Sequence, residues 1–175
     1  MICKEILLYT DNRNLKPLSI RQLSMAEEQR INENDARFLI KGQYVKDLSF
    51  ENPHAPHNLI APEDKPRIEV SVDLKAAQLN EDHFELTMHL AARAAGQDST
   101  LFLAELDYAG IVQFVNIPDE KKEMILMVDC AFILFPFARR VISDVTRDGG
   151  FLPLMLEPID FHTLYLQNKE QQPKA

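Results

Sequence analysis

From Phe38 to Val115 apolar residues recur at every second position, the period of strands buried on one face. Four strands are predicted. The first runs from Phe38 to Glu51, with Tyr44, Lys46, Leu48 and Phe50 on one face and Val45, Asp47, Ser49 and Glu51 on the other. Prolines in Asn52-Pro53-His54-Ala55-Pro56-His57 stop it and stiffen a loop. The second alternates through Ile68, Val70, Val72 and Leu74, and the third through Phe84, Leu86, Met88, Leu90 and Ala92. Ala95-Gly96-Gln97-Asp98 reads as a hairpin turn into the fourth, Thr100 to Val115, with Gly110 as a bulge or bend. Short connections and one polar face per strand describe an antiparallel sheet wet on one side.

Beyond Val115 the period lengthens. Pro118-Asp119-Glu120 is a helix start, since proline and acids suit a first turn. A second helix is predicted from Pro136, with Phe137, Val141 and Val145 on its apolar stripe and Gly149-Gly150 as its stop. Asp160 caps a last helix carrying Phe161, Leu164 and Tyr165. The fold class is α+β, a four-stranded antiparallel sheet with helices packed on one face. Residues 1–36 read as an N-terminal extension without fixed structure, in which Met25 offers an alternative initiator. Residues 37–167 read as the folded domain and 168–175 as a polar C-terminal tail.

Charge narrows the partners. The net charge is −8, made of +2 over residues 1–24 and −10 over the rest. Such a body repels phosphate backbones and anionic membrane surfaces and attracts basic segments. Asp47 and Glu51 point the same way on one strand, and Leu103 and Glu105 on another, giving carboxylates around a leucine on a wet sheet. The cysteines, Cys3 and Cys130, suggest no structural disulfide and a reducing compartment. No stretch reaches the roughly 18 apolar residues of a membrane span, and the first residues make no signal peptide, so a cytoplasmic protein is expected.

Catalytic chemistry is thin. No glycine-rich phosphate loop, G-x-S-x-G or H-E-x-x-H occurs. His54 and His57 fall short of the roughly four ligands of a zinc site. Cys130 lies among apolar neighbours that raise a thiol pKa and leave it inert. No metal, no cofactor and no enzymatic activity are expected. The apolar runs Phe132-Ile133-Leu134-Phe135-Pro136-Phe137 and Gly150-Phe151-Leu152 read either as core or as an exposed groove or subunit interface.

The segment Tyr44-Val45-Lys46-Asp47-Leu48-Ser49-Phe50-Glu51-Asn52-Pro53-His54-Ala55-Pro56 resembles the opening motif of the SecB protein-export chaperones. Phe102-Leu103-Ala104-Glu105, Ala109-Gly110-Ile111, Ile133-Leu134-Phe135-Pro136-Phe137-Ala138-Arg139, Gly149-Gly150-Phe151-Leu152-Pro153-Leu154 and Pro158-Ile159-Asp160-Phe161 follow in that family's order. The resemblance spans about Phe38 to Leu166. It implies an ATP-independent holdase of the bacterial cytoplasm that keeps precursor proteins unfolded and delivers them to the SecA motor. It also implies a homotetramer, a dimer of dimers paired through sheets and stacked through helices. In that resemblance Asp47, Glu51, Leu103 and Glu105 bind the basic, zinc-carrying C-terminal segment of SecA, the zinc belonging to the partner. Phe102, Phe137 and Tyr165 line the client-binding groove, and Tyr44 joins them on the chemistry of its ring. The loop Ala61-Pro62-Glu63-Asp64-Lys65-Pro66 lacks the tryptophan common there in the family. Two other readings stand beside this one, a SecB-like chaperone of a toxin–antitoxin system and a small-ligand-binding α+β protein.

Overall fold

The computed structural model describes residues 35–60, 66–96 and 99–171. Almost all of the extension, with Cys3 and Met25, lies outside the described residues. So do residues 61–65 of the loop without tryptophan, Gln97 and Asp98 of the hairpin turn, and residues 172–175 of the tail.

Strands β1 (Arg37–Glu51), β2 (Arg67–Gln78), β3 (His83–Ala95) and β4 (Thr100–Val115) form one antiparallel sheet in the order β1-β4-β3-β2. β2, β3 and β4 are successive neighbours through short connections. β1 pairs with β4, so the segment after it crosses the sheet to reach β2, as in a Greek key. A short helix α1 (His57–Ile60) lies on that crossing.

Directly opposed residues of an antiparallel pair share a face. The even-numbered residues of β3 and β4 point to the helices, and Leu86, Met88, Leu90, Leu106 and Val112 are at most 1% exposed. β1 breaks the alternation. Its register slips between Ile40 and Gly42 and between Val45 and Asp47, leaving Lys41 and Lys46 as bulge residues. Tyr44 therefore opposes Ala109 and stands with Asp47, Ser49 and Glu51 on the open face, while Val45 joins Leu48 and Phe50 on the helix face. The expected grouping of Tyr44 with Leu48 and Phe50 is corrected, because one inserted residue reverses every side chain beyond it. The bulge expected at Gly110 lies across from it, on β1. Gly110 itself is where a helix comes close: a Cβ there would sit 2.8 Å from Leu134 Cδ2.

Asn116, at φ +54°, turns the chain out of β4. Then α2 (Asp119–Met124), a π-helical segment (Ile125–Cys130) and α3 (Ala131–Asp148) follow without a break. The rod is about 45 Å long. The helix start expected at Pro136 is thus corrected, since Pro136 lies inside α3. Its missing N–H leaves the carbonyl of Phe132 without an intrahelical donor, at a residue that is 70% exposed. The buried stripe is Ala131, Leu134, Phe135, Ala138, Ile142 and Thr146, not the expected one through Phe137, which is 44% exposed. Cys130 is fully buried, and that burial, with Asp129 beside it, pushes its thiol pKa up to about 12.

Gly149 ends α3, as expected; a side chain there would run into the Phe50 ring. Gly150 has φ +89°, which only glycine takes without strain. Asp160 caps the final helix α4 (Phe161–Gln171), its Oδ1 accepting from the Thr163 N–H at 3.0 Å and its Oδ2 from Thr163 Oγ1 at 2.7 Å. The backbone bond, then the hydroxyl bond, holds its carboxyl below the usual range. α4 extends to Gln171, four residues into the segment expected as a tail.

Candidate functional site

Two surfaces are candidates for interaction. The first is the open face of the sheet. Across the β1–β4 border Glu51 opposes Leu103, Ser49 opposes Glu105, and Asp47 opposes Asp107. The four residues singled out from the sequence, Asp47, Glu51, Leu103 and Glu105, are therefore brought together, with neighbouring Cβ atoms about 5 Å apart across the strands. Asp107 belongs to the same patch and was missed. Periodicity alone could have found it, two positions on from Glu105.

Continuing across the sheet, His89 opposes Asp107 and Asp73 opposes His89. His89 Nδ1 lies 2.7 Å from Asp107 Oδ1 and donates to it in the Nδ1–H tautomer. Arg93, opposite Leu103, is turned aside to donate to Thr100 Oγ1 at 2.9 Å. At the other end of this face the Tyr44 hydroxyl and Lys46 ammonium both donate to Glu85, the latter at 2.7 Å. These bonds, Lys46 first, hold the Glu85 carboxyl below its ordinary range. The same contact raises Lys46 and Tyr44 above theirs. The face thus divides into an end where acid and base neutralise each other and an end where carboxylates stand around an apolar side chain. Tyr44 belongs to the neutral end of this face and does not line the cleft described next.

The second surface is an open cleft of about 510 Å³ between the crossing segment and the strap after α3. Leu59 and Asn58 of α1, Pro66 and Ile68 leading into β2, and Phe151, Leu152 and Leu154 form its walls. Phe102 is its floor, 4% exposed, with ring centroids 5.7 Å from Phe50 and 5.0 Å from Phe151. The rim stays open to water: Leu152 is 89% exposed, Ile60 79% and Leu59 43%.

The strap is held by one buried hydroxyl. Thr146, fully buried, donates from Oγ1 to the Ile142 carbonyl at 2.9 Å and accepts the Leu154 N–H at 3.0 Å. The Phe151 N–H donates to the Thr146 carbonyl at 3.1 Å. Thr146 was missed. Its signal was a hydroxyl on the buried i, i+4 row of Leu134, Ala138 and Ile142.

Tyr165 lines a separate, smaller cleft with Val72, Leu74, Met127 and Lys169. The Lys169 ammonium lies 4.9 Å from its ring centroid. Ile68, Val70, Val72 and Leu74 share one face of β2, so the two clefts lie along the same edge strand, about 20 Å apart end to end. Val70, 44% exposed, bridges them. Phe137 lies on neither, since it projects from the side of α3 opposite the buried stripe.

Several known proteins are similar to this chain. The family model described as "Preprotein translocase subunit SecB" matches residues 31–172. The "Protein-export protein SecB" of Parvibaculum lavamentivorans is 48% identical over 133 residues, 76% of this chain and 79% of that protein. The protein of the same description from Rhodopseudomonas palustris (strain BisA53) is 44% identical over 133 residues, 76% and 83% of the two chains. That from Maricaulis maris is 47% identical over 126 residues, 72% and 73%. A SecB-like chaperone of Mycobacterium tuberculosis, solved in complex with an antitoxin peptide, superposes with a TM-score of 0.60 at 16% identity, over 70% of this chain and 91% of that one, and has the same fold.

Proposed function

The chain belongs to the SecB family, and from that premise we propose that it is a protein-export chaperone whose cleft holds unfolded precursors and whose acidic sheet face docks the motor that takes them. The observation that carries this is the cleft beside β2. An aromatic floor with a rim as exposed as Leu152 suits a binder of many apolar segments, since an open apolar wall repacks where a shaped pocket selects. Among the described residues β2 is also an edge strand, whose free backbone groups take extended chain whatever its sequence. Client contacts fall to Phe102, Leu59, Ile68, Leu152 and, along the strand, Tyr165.

Binding the unfolded state and not the folded one holds a client open by mass action, with no nucleotide needed. Release then falls to a partner. Asp47, Glu51, Glu105 and Leu103 offer carboxylates around an apolar centre, the complement of the basic C-terminal segment of SecA. Attraction of this kind speeds encounter and weakens with salt. The chain acts as a dimer of dimers in the cytoplasm. Among the described residues no helix is long and apolar enough to cross a membrane.

The test is refolding of an aggregation-prone protein, followed by light scattering with stoichiometric chaperone and no ATP. Wild type suppresses scattering. Leu152→Glu weakens suppression with SecA binding retained, whereas Glu105→Lys suppresses fully but loses SecA binding, by tenfold or more at low salt. No suppression by wild type sinks the holdase reading; loss of both functions in both variants sinks the division between two surfaces.

A further inference from the structure

One row of side chains crosses the open face of the sheet from β1 to β2. Asp47 of β1 opposes Asp107 of β4, Asp107 opposes His89 of β3, and His89 opposes Asp73 of β2. Directly opposed residues stand about 5 Å apart at Cβ, so the histidine sits between two carboxylates. Its ring is bonded to Asp107, Nδ1 lying 2.7 Å from Oδ1, and both side chains are open to water, 36% and 35% exposed. Through Asp107 the ring adjoins the carboxylates gathered around Leu103.

This bond leaves the other ring nitrogen to take or lose a proton. Nδ1–H donates to Asp107 whether the ring is neutral or charged, so the geometry survives protonation and the charge alone changes. With a neutral ring, Asp107 adds its negative charge to those of Asp47, Glu51 and Glu105. With a charged ring that addition is cancelled. Histidine makes such a change between about pH 5 and 8, a window outside which carboxylates, lysine and arginine ordinarily titrate. Facing His89 from β4 are Asp107 and, diagonally, Glu105. From β2 come Asp73 and, diagonally, Lys75, while Glu85 and Arg93 stand farther along β3 itself. A basic segment lying on Asp47, Glu105 and Asp107 is within about one strand spacing of the ring, well inside the ~8 Å screening length of physiological salt. It therefore feels the ring's charge.

We propose that His89 tunes docking on the acidic sheet face, acting through Asp107: a neutral ring leaves the face at full strength for a basic partner, and a protonated ring weakens its hold. The proposal rests on the SecA-docking reading above and adds a regulation to it. Linkage makes the effect reciprocal, so a docking basic segment expels the proton. The test is titration of the full chain with the C-terminal segment of SecA at one low salt concentration, from about pH 5.5 to pH 8. Wild type binds about threefold or more tighter at the top of that range than at the bottom. His89→Asn, whose amide nitrogen replaces Nδ1 as a donor without adding charge, binds throughout as wild type does at high pH. His89→Arg binds throughout as wild type does in acid. Groups that titrate on the segment itself act equally on every variant, so the difference between variants isolates His89. His54→Asn, altered just past the Glu51 end of β1, keeps the wild-type response. Client holding at wild-type strength shows that each variant is folded. Equal pH responses in wild type and His89→Asn, or a response lost with His54→Asn instead, overturn the proposal and leave the docking reading standing. A wild-type chain that binds the segment at no pH overturns both.

Discussion

The two faces of β4 share a backbone and little else. Toward the helices stand Phe102, Ala104, Leu106 and Val112, each at most 4% exposed; toward solvent stand Leu103, Glu105 and Asp107. The difference is coverage. Where α3 lies over the sheet, water is excluded and side-chain shape sets stability. Where none of the described residues lies over it, charge costs little desolvation and is free to act on a partner. Stability and the proposed recognition are thus separated by one strand's thickness, and substitutions on the two faces should fail in different ways.

The largest effect is expected on the covered face. Leu134 is fully buried and fills the space left by Gly110. Leu134→Ala should lower stability by about 2–5 kcal/mol in urea unfolding while leaving the charge-driven docking of any remaining folded protein intact. A docking loss larger than the folded fraction explains would break the separation.

Next comes the seam between packing and function. Thr146→Val keeps the shape but leaves the part-buried Leu154 N–H without its acceptor, which costs about 1 kcal/mol. Because that bond holds the strap bearing Leu152 and Leu154, client holding should weaken with it. Stability that falls while holding stays at wild-type strength would mean the strap's position does not matter to the cleft.

The smallest effect tests the open face. Glu85 has its carboxyl pKa lowered by Lys46 and Tyr44, so it stabilises the fold fully above its unfolded value, near 4.3, and that contribution fades as pH falls through the lower folded value. Glu85→Gln should therefore melt slightly below wild type at pH 7, and the two curves should converge in acid. A gap that persists in acid, once the carboxyl is protonated in both states, would assign the loss to shape and not to charge.

Much of the cleft was hidden from sequence reading for a definite reason. Phe102 was legible as apolar, but that it floors a cleft depends on a crossing segment and a strap that meet only in space. The placement of Tyr44 failed because a bulge leaves no mark in an alternation that merely resumes out of phase. Pro136 misled because proline is expected to start or stop a helix, and it is tolerated here inside one, on the exposed side of α3.

The chain's own order of residues settled the four strands, the antiparallel sheet, the cap at Asp160, the stop at Gly149 and the acidic patch, because each depends on neighbours within a few positions or on strict period two. Tertiary structure alone decided which strand β1 joins, which side of α3 is buried, and which apolar side chains stay in water. Those are set by what approaches from elsewhere in the fold, as Leu134 approaches Gly110, and no local period records it.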